Sequence, residues 1–591
     1  MAVTEVPVLI VGGGGAGLTA SMLLSGLGVD SLLVTALDST SVLPKAHLLN
    51  QRTMEILADC GVADEIYARG TPREHMSHTG FYAGFAGHPD AGRRIARLEA
   101  WGGGGADPEW EAASPRQSTN LPQIRLEPVL RARAEVLAPG RVRFGHELVS
   151  FDQDEDGVSA VVRDRASDET YEVRASFLLA CDAGRTIGPA LGIEQVGVRG
   201  VGSMVSMHVS TDLSGWAGDP EVLIRWTWIP HKGTLATIVP MGPTRWGPDS
   251  EEWVIHLNYP YEDPRSLDDG TVESDMRSAL GIGDHPVDIH LITRWELMGV
   301  VASQLRVGRT FLLGDAAHRH PPTGGLGLTS ATQDVHNLCW KLATVLAGHA
   351  GDGLLDTYEP ERRASVQWNV DNSLDSALNH LAIGDALGLV DPDLTPEEGW
   401  ARMARLWSGR PEDEAFRTTV DRAIRSQSME FRKHNVEYGY TYQSAAVVPD
   451  GTPAPDEVDH VRVYRPSTRP GAPLPHAWLE SADGVPVSTL DLVAPGRFLL
   501  ITGEDGVAWE EAAAHAAAGG LPLDVVRIGH LEGDLLDPRC RWIQLREIGD
   551  DGALLVRPDR FVAWRSLGPS VAPRTELASA LAAVLDKEVP G

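Results

Sequence analysis

The chain of 591 residues is too long for a single hydrophobic core, and roughly two to four domains are expected. Its formal net charge of −31 argues against nucleic acid or an anionic membrane as a partner, and no apolar run approaches the roughly twenty residues that a membrane span needs. We find no leader sequence before the first predicted strand, and the four cysteines show neither CxxC nor metal-ligand spacing, so we expect a cytoplasmic protein without a metal site.

The first element is an apolar strand that runs into a glycine-rich turn. The strand Val8–Val11 leads to Gly12, Gly14 and Gly17 in the spacing GxGxxG, and a helix is predicted from Leu18. The first glycine allows a tight turn, the second lets the backbone approach a pyrophosphate, and the third lets helix and strand pack closely. The amino terminus of the helix adds free N–H groups and a positive dipole end. The motif therefore predicts dinucleotide binding.

The second strand departs from the usual pattern of such sites. Residues 31–34 should be followed by an acid that hydrogen-bonds the adenosine ribose, but Thr35 stands there and Asp38 follows three residues later. Replacing a carboxylate with a hydroxyl loses a charge-assisted hydrogen bond, on the order of 1 kcal/mol. We expect a single hydrogen bond from Thr35, and Asp38 as a substitute partner is a hypothesis.

The middle of the chain mixes irregular, helical and strand-forming stretches. Residues 71–120 look irregular and contain Trp101–Gly105, which we predict as a mobile loop. A helix at 127–137 precedes strand-like alternation over 141–180. Residues 203–295 alternate with period two in several places, which predicts a separate sheet inserted between the two halves of the nucleotide-binding domain.

A second glycine-rich element follows far along the chain. The apolar strand 310–313 ends in Gly314 and Asp315, and a glycine-rich turn at 321–327 leads to a helix with its apolar residues on one face. Two phosphate-type loops so far apart suggest one extended dinucleotide held at both ends. We infer that this ligand is FAD.

The last part of the chain follows a proline-rich linker at 448–455. Its predicted order of strand, helix, strand, hairpin and helix suits a thioredoxin-like fold. Without a CxxC this domain cannot run thiol redox chemistry, so we expect a structural or interfacial role. The elements lie at 498–502, 509–518, 523–528, 554–564 and from 576 onward.

Several further motifs stand beside the glycine-rich start. They are residues 44–55, Leu121–Pro128, Cys181–Thr186, Gly314–Asp315, Trp340–Leu342 and Arg557–Arg565. Their content and order resemble the single-component, FAD-dependent aromatic hydroxylases, in particular the phenol-hydroxylating members with a thioredoxin-like tail. The resemblance spans nearly the whole chain.

The resemblance implies an α/β fold in which a Rossmann-like FAD-binding domain carries an inserted mixed β-sheet substrate domain, followed by a helical segment and a thioredoxin-like C-terminal domain. The expected boundaries are 1–200 for the first part of the FAD-binding domain, with 71–120 contributing to the substrate side, 201–300 for the inserted sheet, 301–395 for the second part of the FAD-binding domain, 396–455 for the helical segment and linker, and 456–591 for the thioredoxin-like domain.

The resemblance also implies a cofactor site. Asp315 should bind the ribityl or ribose hydroxyls of FAD, and residues 326–328 should present backbone N–H groups near flavin N1 and O2, where the helix terminus stabilises the reduced flavin. The segment at Asp182 should touch the pyrophosphate and serve the pyridine nucleotide. The expected cofactor-binding residues are Gly12, Gly14, Gly17, Thr35, Arg52, Gln123, Asp182, Asp315, Leu326, Gly327 and Leu328.

Members of this family reduce FAD with NADH or NADPH and form a flavin C4a-hydroperoxide with O2, which hydroxylates an electron-rich ring. The ring is activated as phenolate, which costs about 4 kcal/mol at pH 7 for a phenol of pKa near 10. His47 matches the position of the base, and the other interpretation is a histidine merely packed against the flavin. No second complete dinucleotide site is recognisable, so NAD(P)H should bind transiently as a co-substrate.

The substrate remains open at this stage. Five residues of the inserted sheet are candidates for lining an aromatic slot, or equally for forming the core of the sheet: Trp226, Trp228, Met241, Trp246 and Trp253. We expect a phenolic or hydroxylated heteroaromatic substrate and a homo-oligomeric protein. The alternatives are action on an aromatic polyketide, Baeyer–Villiger oxygenation, or a flavoprotein dehydrogenase that inserts no oxygen.

Overall fold

The computed structural model describes residues 3–44, 46–230, 235–391, 393–456 and 458–589. Lys45, within the motif at 44–55, lies outside them. The strands are β1 (Val3–Val11), β2 (Ser31–Thr35), β3 (Leu48–Leu49), β4 (His78–Ala83), β5 (Arg93–Glu99), β6 (Thr119–Asn120), β7 (Val142–Phe144), β8 (His146–Gln153), β9 (Val158–Asp164), β10 (Thr170–Ala180), β11 (Gln195–Ser210), β12 (Val222–Trp228), β13 (Leu235–Gly242), β14 (Glu252–Tyr259), β15 (Asp288–Ala302), β16 (Arg306–Val307), β17 (Thr310–Leu312), β18 (His318–Arg319), β19 (Trp478–Glu480), β20 (Pro486–Ser488), β21 (Phe498–Thr502), β22 (Leu523–Gly529), β23 (Leu535–Leu536), β24 (Ala553–Val556) and β25 (Val562–Ser566).

The helices are α1 (Gly15–Gly26), α2 (Gln51–Asp59), α3 (Ala63–Arg69), α4 (Trp101–Gly105), α5 (Pro108–Ala113), α6 (Gln123–Leu137), α7 (Ile187–Ala190), α8 (Asp269–Leu280), α9 (Gly327–Leu346), α10 (Gly353–Asp356), α11 (Tyr358–Asn379), α12 (Leu381–Leu387), α13 (Pro396–Ala404), α14 (Glu414–Ser426), α15 (Ser428–Phe431), α16 (His434–Tyr438), α17 (Val507–Ala518), α18 (Arg541–Leu545) and α19 (Pro573–Leu585). Within the described ranges, no helix combines the length and the apolar character that a membrane crossing needs.

The first sheet is Rossmann-like, with the order β16-β17-β10-β1-β2-β7 and the hairpin β8–β9 beside β10. Its central strands are parallel: Val11 pairs with Ala180 on one side and Val34 on the other, and Ala180 pairs with Leu312. Because parallel strands end at the same edge, the residues that follow β1, β2, β10 and β17 meet there. Both glycine-rich elements therefore lie at one edge of this sheet.

The second sheet has the order β18-β15-β11-β14-β13-β12-β4-β5. One face packs against α8, where Trp253, Ile255 and Met276 share a buried apolar cluster. The other face packs against α12 to α15 and also contains Leu48 from the nucleotide-binding side. Strands β4 and β5 come from the segment 71–120, which also contains α4 and α5 and is thus more regular than predicted. Helix α8 interrupts the stretch predicted as mostly strand.

The glycine run at 101–105 is not an open loop in the structure. Trp101 and Gly102 to Gly105 all have positive φ, from +51° to +86°, so they form one turn of left-handed helix. Trp101 is buried, and a side chain on Gly104 would collide with the backbone of Arg73. Consecutive glycines make the left-handed conformation accessible, and this turn allows the indole ring of Trp101 to be buried.

The C-terminal domain is thioredoxin-like. Parallel β21 and β22 are joined by α17, antiparallel β24 and β25 form the hairpin, and α19 closes the chain. Helices α17 and α19 share an apolar cluster with Trp340 of α9 and Leu354 of α10. This cluster fixes the domain against the back of the FAD-binding domain.

A buried ion cluster also joins these two domains. Glu361 of α11 accepts both arms of the Arg557 guanidinium, at 2.5 and 2.9 Å, and binds Lys341 Nζ at 2.7 Å. Asp559 completes the cluster at 2.5 Å from Arg557. Burial alone would raise the pKa of Glu361, but Arg557 and Lys341 outweigh it and hold that pKa well below its usual range. The carboxylate is therefore ionised and satisfied.

Replacing Glu361 with glutamine should destabilise the docked C-terminal domain by about 3–5 kcal/mol, because Arg557 and Lys341 then keep buried charges without their main partner. Denaturant unfolding, with hydrogen exchange of residues 553–566 as the local probe, measures the loss. Asp421→Asn, which breaks an exposed pair with Arg425 on α14, is the matched control and should cost about 1 kcal/mol or less. Equal losses in the two variants would contradict the role of the cluster.

Candidate functional site

The first glycine-rich turn is held by two close backbone approaches. Gly12 has φ +123°, and a Cβ built on it would lie 2.0 Å from the carbonyl oxygen of Cys181. A Cβ on Gly17 would lie 1.9 Å from the carbonyl oxygen of Gly12. Both positions exclude a side chain because protein backbone already fills the space.

Gly14 differs from these two glycines. The nearest atom to a Cβ built on it is Oε1 of Glu127, at 3.5 Å, so the protein leaves room there. Gly14 is also the N-cap of α1, and it supplies no side-chain cap for the first turn. A helix amino terminus with uncapped N–H groups beside open space has the chemistry of an anion site.

Gln123 lies close to this space. It begins α6, and its Nε2 donates to Glu127 Oε1 at 2.5 Å, the same oxygen that faces Gly14. The other oxygen of Glu127 accepts the backbone N–H of Ser41 at 2.6 Å. The helix begins four residues before the predicted start at Glu127, and this extension brings Gln123 to the glycine turn.

Two predicted residues are engaged by the protein itself. Thr35 is buried, its Cγ2 lies against Gly13, and its hydroxyl accepts the N–H of Leu37 at 3.4 Å. The carboxylate of Asp182 accepts three backbone N–H groups from its own turn, at 2.7 to 3.1 Å, and so holds the start of α7 beside Gly12. Asp38, the substitute partner suggested for Thr35, is exposed and lies 3.4 Å from Arg165.

Asp315 stands at the edge of the sheet with its carboxylate exposed and without a hydrogen-bond partner among the described residues. The turn that carries it is fixed by Asp334 of α9. Asp334 accepts the N–H of Gly314 at 3.1 Å and is bound by His318 at 2.7 Å and Arg362 at 2.8 Å. A free carboxylate on a rigid turn is suited to binding vicinal hydroxyls.

The amino terminus of α9 meets the first glycine-rich turn directly. Leu326 is the N-cap residue, Gly327 begins the helix, and a Cβ on Gly15 would lie 2.6 Å from Cδ1 of Leu328. Beside Gly327 stands His320, whose two ring nitrogens are enclosed without a hydrogen-bond partner. Burial lowers the pKa of His320 to about 3, so the ring is neutral. Orphaned polar atoms beside a glycine and a helix terminus fit a polar, planar ligand such as the FAD ring system.

The contacts of Arg52 are with residues other than those of the two glycine-rich turns. Its Nη1 binds Glu55 at 2.7 Å, and its guanidinium lies over the ring of Tyr438 at 4.5 Å and near Phe561 of the C-terminal domain. Its Nε and Nη2 have no partner among the described residues.

His47 sits where β3 meets β6, at the boundary between the first sheet and the second. Its Nδ1 lies 2.5 Å from Oδ1 of buried Asn120, whose Nδ2 donates to Thr71 at 2.6 Å. Because an amide oxygen only accepts, Nδ1 of His47 carries the proton and Nε2 keeps its lone pair. Burial lowers the pKa of His47, and the bond to Asn120 partly offsets that effect. His47 is thus neutral near pH 7, and its Nε2 is an acceptor without a hydrogen-bond partner among the described residues.

The candidate aromatic residues of the second sheet do not share one face. Trp226, Trp228 and Met241 lie on the face shared with Leu48, whereas Trp253 is buried under α8 on the opposite face. The residue that reaches toward His47 is His256, which sequence reasoning missed. The polar side chain of His256 within the otherwise apolar stretch 253–257 was the available signal.

The chain matches two family models. One is described as the FAD binding domain and matches residues 5–373, and the other is described as the aromatic-ring hydroxylase C-terminal domain and matches residues 467–587. The first covers more than half of the sequence, and the second coincides with the thioredoxin-like domain.

Relatives match over the whole length. The 2,4-dichlorophenol 6-monooxygenase of Delftia acidovorans is 37% identical, covering 99% of this chain and 98% of its own. The phenol 2-monooxygenase of Pseudomonas sp. (strain EST1001) is 35% identical, covering 97% and 92%. Among solved structures, the flavin-dependent monooxygenase PieE in complex with FAD and substrate superposes with a TM-score of 0.91 at 40% identity, covering 99% of each chain.

Two glycine variants distinguish a position that faces the proposed ligand site from a position that is packed against protein backbone. Gly14→Ala should leave the thermal stability of the apoprotein unchanged but weaken FAD binding about tenfold, because the added methyl enters only the open space. Gly17→Ala should destabilise the apoprotein itself by about 1–3 kcal/mol. Calorimetry of apoprotein and FAD titration measure both effects. Wild-type FAD affinity in Gly14→Ala would show that this space does not belong to the cofactor.

Proposed function

The chain belongs to the FAD-dependent aromatic-ring hydroxylases, and we propose that it hydroxylates a phenolic or hydroxylated heteroaromatic ring that His47 converts to phenolate. The observation that carries this proposal is the fixed tautomer of His47, with Nδ1–H held by Asn120 and Nε2 left without a partner in the described part of the chain. Bound FAD, reduced by NADH or NADPH, supplies the activation of O2 that delivers one oxygen atom to the ring.

The residues at the sheet edge would hold FAD in the following way. The open space at Gly14 and the start of α1 would take the pyrophosphate, with Gln123 beside it. The free carboxylate of Asp315 would bind hydroxyls of the extended cofactor. The start of α9 at Gly327 would place its positive dipole end against the ring system. Gly12, Gly17 and Asp182 would contribute by shaping the first glycine-rich turn. Thr35 would lie at the ribose end of the cofactor. Leu326 and Leu328 would contribute through the start of α9.

Arg52 has a different proposed place. With Glu55, Tyr438 and Phe561 around it, it would support α2 from the side of the C-terminal domain. Its effect on FAD would then be indirect, through the position of the segment that carries His47.

His47 would perform the proton transfer that activates the ring. A phenol of pKa near 10 resists ionisation at pH 7 by about 4 kcal/mol. Transfer of the phenol proton to Nε2 creates an imidazolium whose Nδ1–H remains bonded to Asn120, which stabilises the charge. The burial that lowers the pKa of His47 keeps the ring in its accepting form at neutral pH.

His47→Gln should slow aromatic hydroxylation about 100-fold at pH 7, while FAD stays bound, because general-base assistance is lost. The wild-type rate should hold down to below pH 6.5, since the lowered pKa keeps His47 neutral there, and the variant should recover as pH approaches the pKa of the substrate. Product formation against pH measures both. His515→Gln, in an exposed position on α17, is the control and should match wild type. Equal rates for His47→Gln and wild type across pH 6–8 would remove His47 as the base.

Isotope-labelled O2 tests the reaction itself. Aromatic hydroxylation places one labelled oxygen atom in the product, and NMR of that product separates ring hydroxylation from Baeyer–Villiger insertion. An unlabelled product, with all reducing equivalents recovered as peroxide, would support the dehydrogenase alternative instead. Family membership favours hydroxylation over both.

The cellular setting is a further part of the proposal. Cys60, Cys181, Cys339 and Cys540 are all free thiols, as expected for a reducing cytoplasm. A small aromatic compound is the proposed binding partner. A homo-oligomer formed through the thioredoxin-like domain would account for a domain that lacks redox cysteines.

A further inference from the structure

A second histidine faces the space in front of His47. In β14, Trp253, Ile255 and Leu257 point into the cluster under α8, so Val254 and His256 point to the opposite face of the sheet. Val254 shares a cluster with Leu48, the residue after His47. The two histidines thus approach one space from different domains.

His256 lines that space rather than the core of the sheet. It keeps solvent-accessible surface, although its neighbours on β14, Val254, Ile255 and Leu257, are buried. Burial and, to a smaller extent, the charge of His47 nevertheless lower its pKa to about 4. This combination of desolvation and residual accessibility indicates that His256 lies in the wall of a cavity. The ring is neutral at pH 7.

The neighbours of His256 determine which nitrogen carries its proton. Trp295 Nε1 donates to Ser206 Oγ at 2.9 Å, and Ser206 Oγ lies 2.7 Å from Nδ1 of His256. An indole only donates, so the serine hydroxyl accepts there; its own single proton still needs an acceptor, and Nδ1 of His256 is within reach. No other acceptor for that proton is found among the described residues. The neutral ring therefore presents Nε2–H to the cavity.

We propose that His256 is a positioning and specificity residue, which donates a hydrogen bond from Nε2 to a second oxygen on the substrate, a carbonyl ortho to the phenol. This inference rests on the proposed function of His47. The cavity then has an acceptor on one wall and a donor on the other, and it selects ortho-acyl phenols.

The chemistry of such rings explains why two groups are needed. In an ortho-acyl phenol the hydroxyl donates internally to the carbonyl, which withholds its proton from a base. A donor on the carbonyl replaces that internal bond and frees the phenol proton for His47. A hydrogen bond from His256 to the reacting oxygen itself would hold charge on oxygen and oppose activation of the ring.

The test compares three phenols: phenol, 2-acetylphenol and 4-acetylphenol. Calorimetry on the FAD-loaded, oxidised protein without NAD(P)H gives their dissociation constants, and separate steady-state hydroxylation assays with NAD(P)H give kcat and KM. In His256→Leu the dissociation constant of 2-acetylphenol should rise at least about tenfold, while those of phenol and 4-acetylphenol change less than about threefold. His256→Gln keeps a donor and should stay near wild type for all three.

His290→Leu is the matched control. His290 lies in the same sheet and also binds a serine of β11, Ser210 at 2.6 Å, but its side chain is exposed. It should change none of the three constants. Thermal stability and FAD stoichiometry of each variant show whether the fold is retained.

The outcomes separate this inference from the proposed function. Equal losses for phenol and 2-acetylphenol, or no loss for either, in a folded His256→Leu protein would overturn the role of His256 while leaving His47 untouched. A wild-type protein that binds and hydroxylates phenol but does not prefer the ortho isomer would do the same. A wild-type protein that binds none of the three would overturn both proposals.

Discussion

The buried carboxylate of Asp334 is the interaction on which the geometry of the site depends. It stands inside α9 and holds the N–H of Gly314, so the turn that carries Asp315 is tied to the same helix whose first residues face Gly15. Burial alone would raise its pKa, but His318 and Arg362 outweigh this and keep the pKa low, so the group stays ionised. Asp315 and the start of α9 cannot shift independently, because one charged group positions both.

Under the proposed function, substrate activation is divided between two structural units. His47 belongs to the nucleotide-binding side and takes its orientation from Asn120, whereas His256 belongs to the inserted sheet and takes its orientation from Ser206. Each imidazole is neutral because burial disfavours its charged form, and the hydrogen bond on one nitrogen decides the role of the other. An acceptor and a donor are thus produced from the same residue type by different neighbours.

Local sequence signals were sufficient to predict those parts of the fold that backbone geometry determines. The spacing of Gly12, Gly14 and Gly17 predicted the turn, and the strand before Gly314 predicted the sheet edge, because glycine requirements are local. The sequence was insufficient to predict those features that depend on packing between distant parts of the chain. The glycines after Trp101 indicated a mobile loop but form a packed left-handed turn, and the candidate aromatic residues fall on two faces of the sheet. Which face of a strand is buried, and against what, follows only from the partners that fold onto it.

The contact between Leu328 and Gly15 has a consequence for biosynthesis. The two sides of the cofactor cradle are separated by more than half of the polypeptide, and β17 completes the sheet edge only after the entire inserted domain has been made. During synthesis on the ribosome, the first glycine-rich turn therefore emerges long before the start of α9, the element that it contacts in the folded protein. A truncated translation product that ends before α9 lacks the helix whose start faces Gly15, and so it lacks one side of the proposed FAD site.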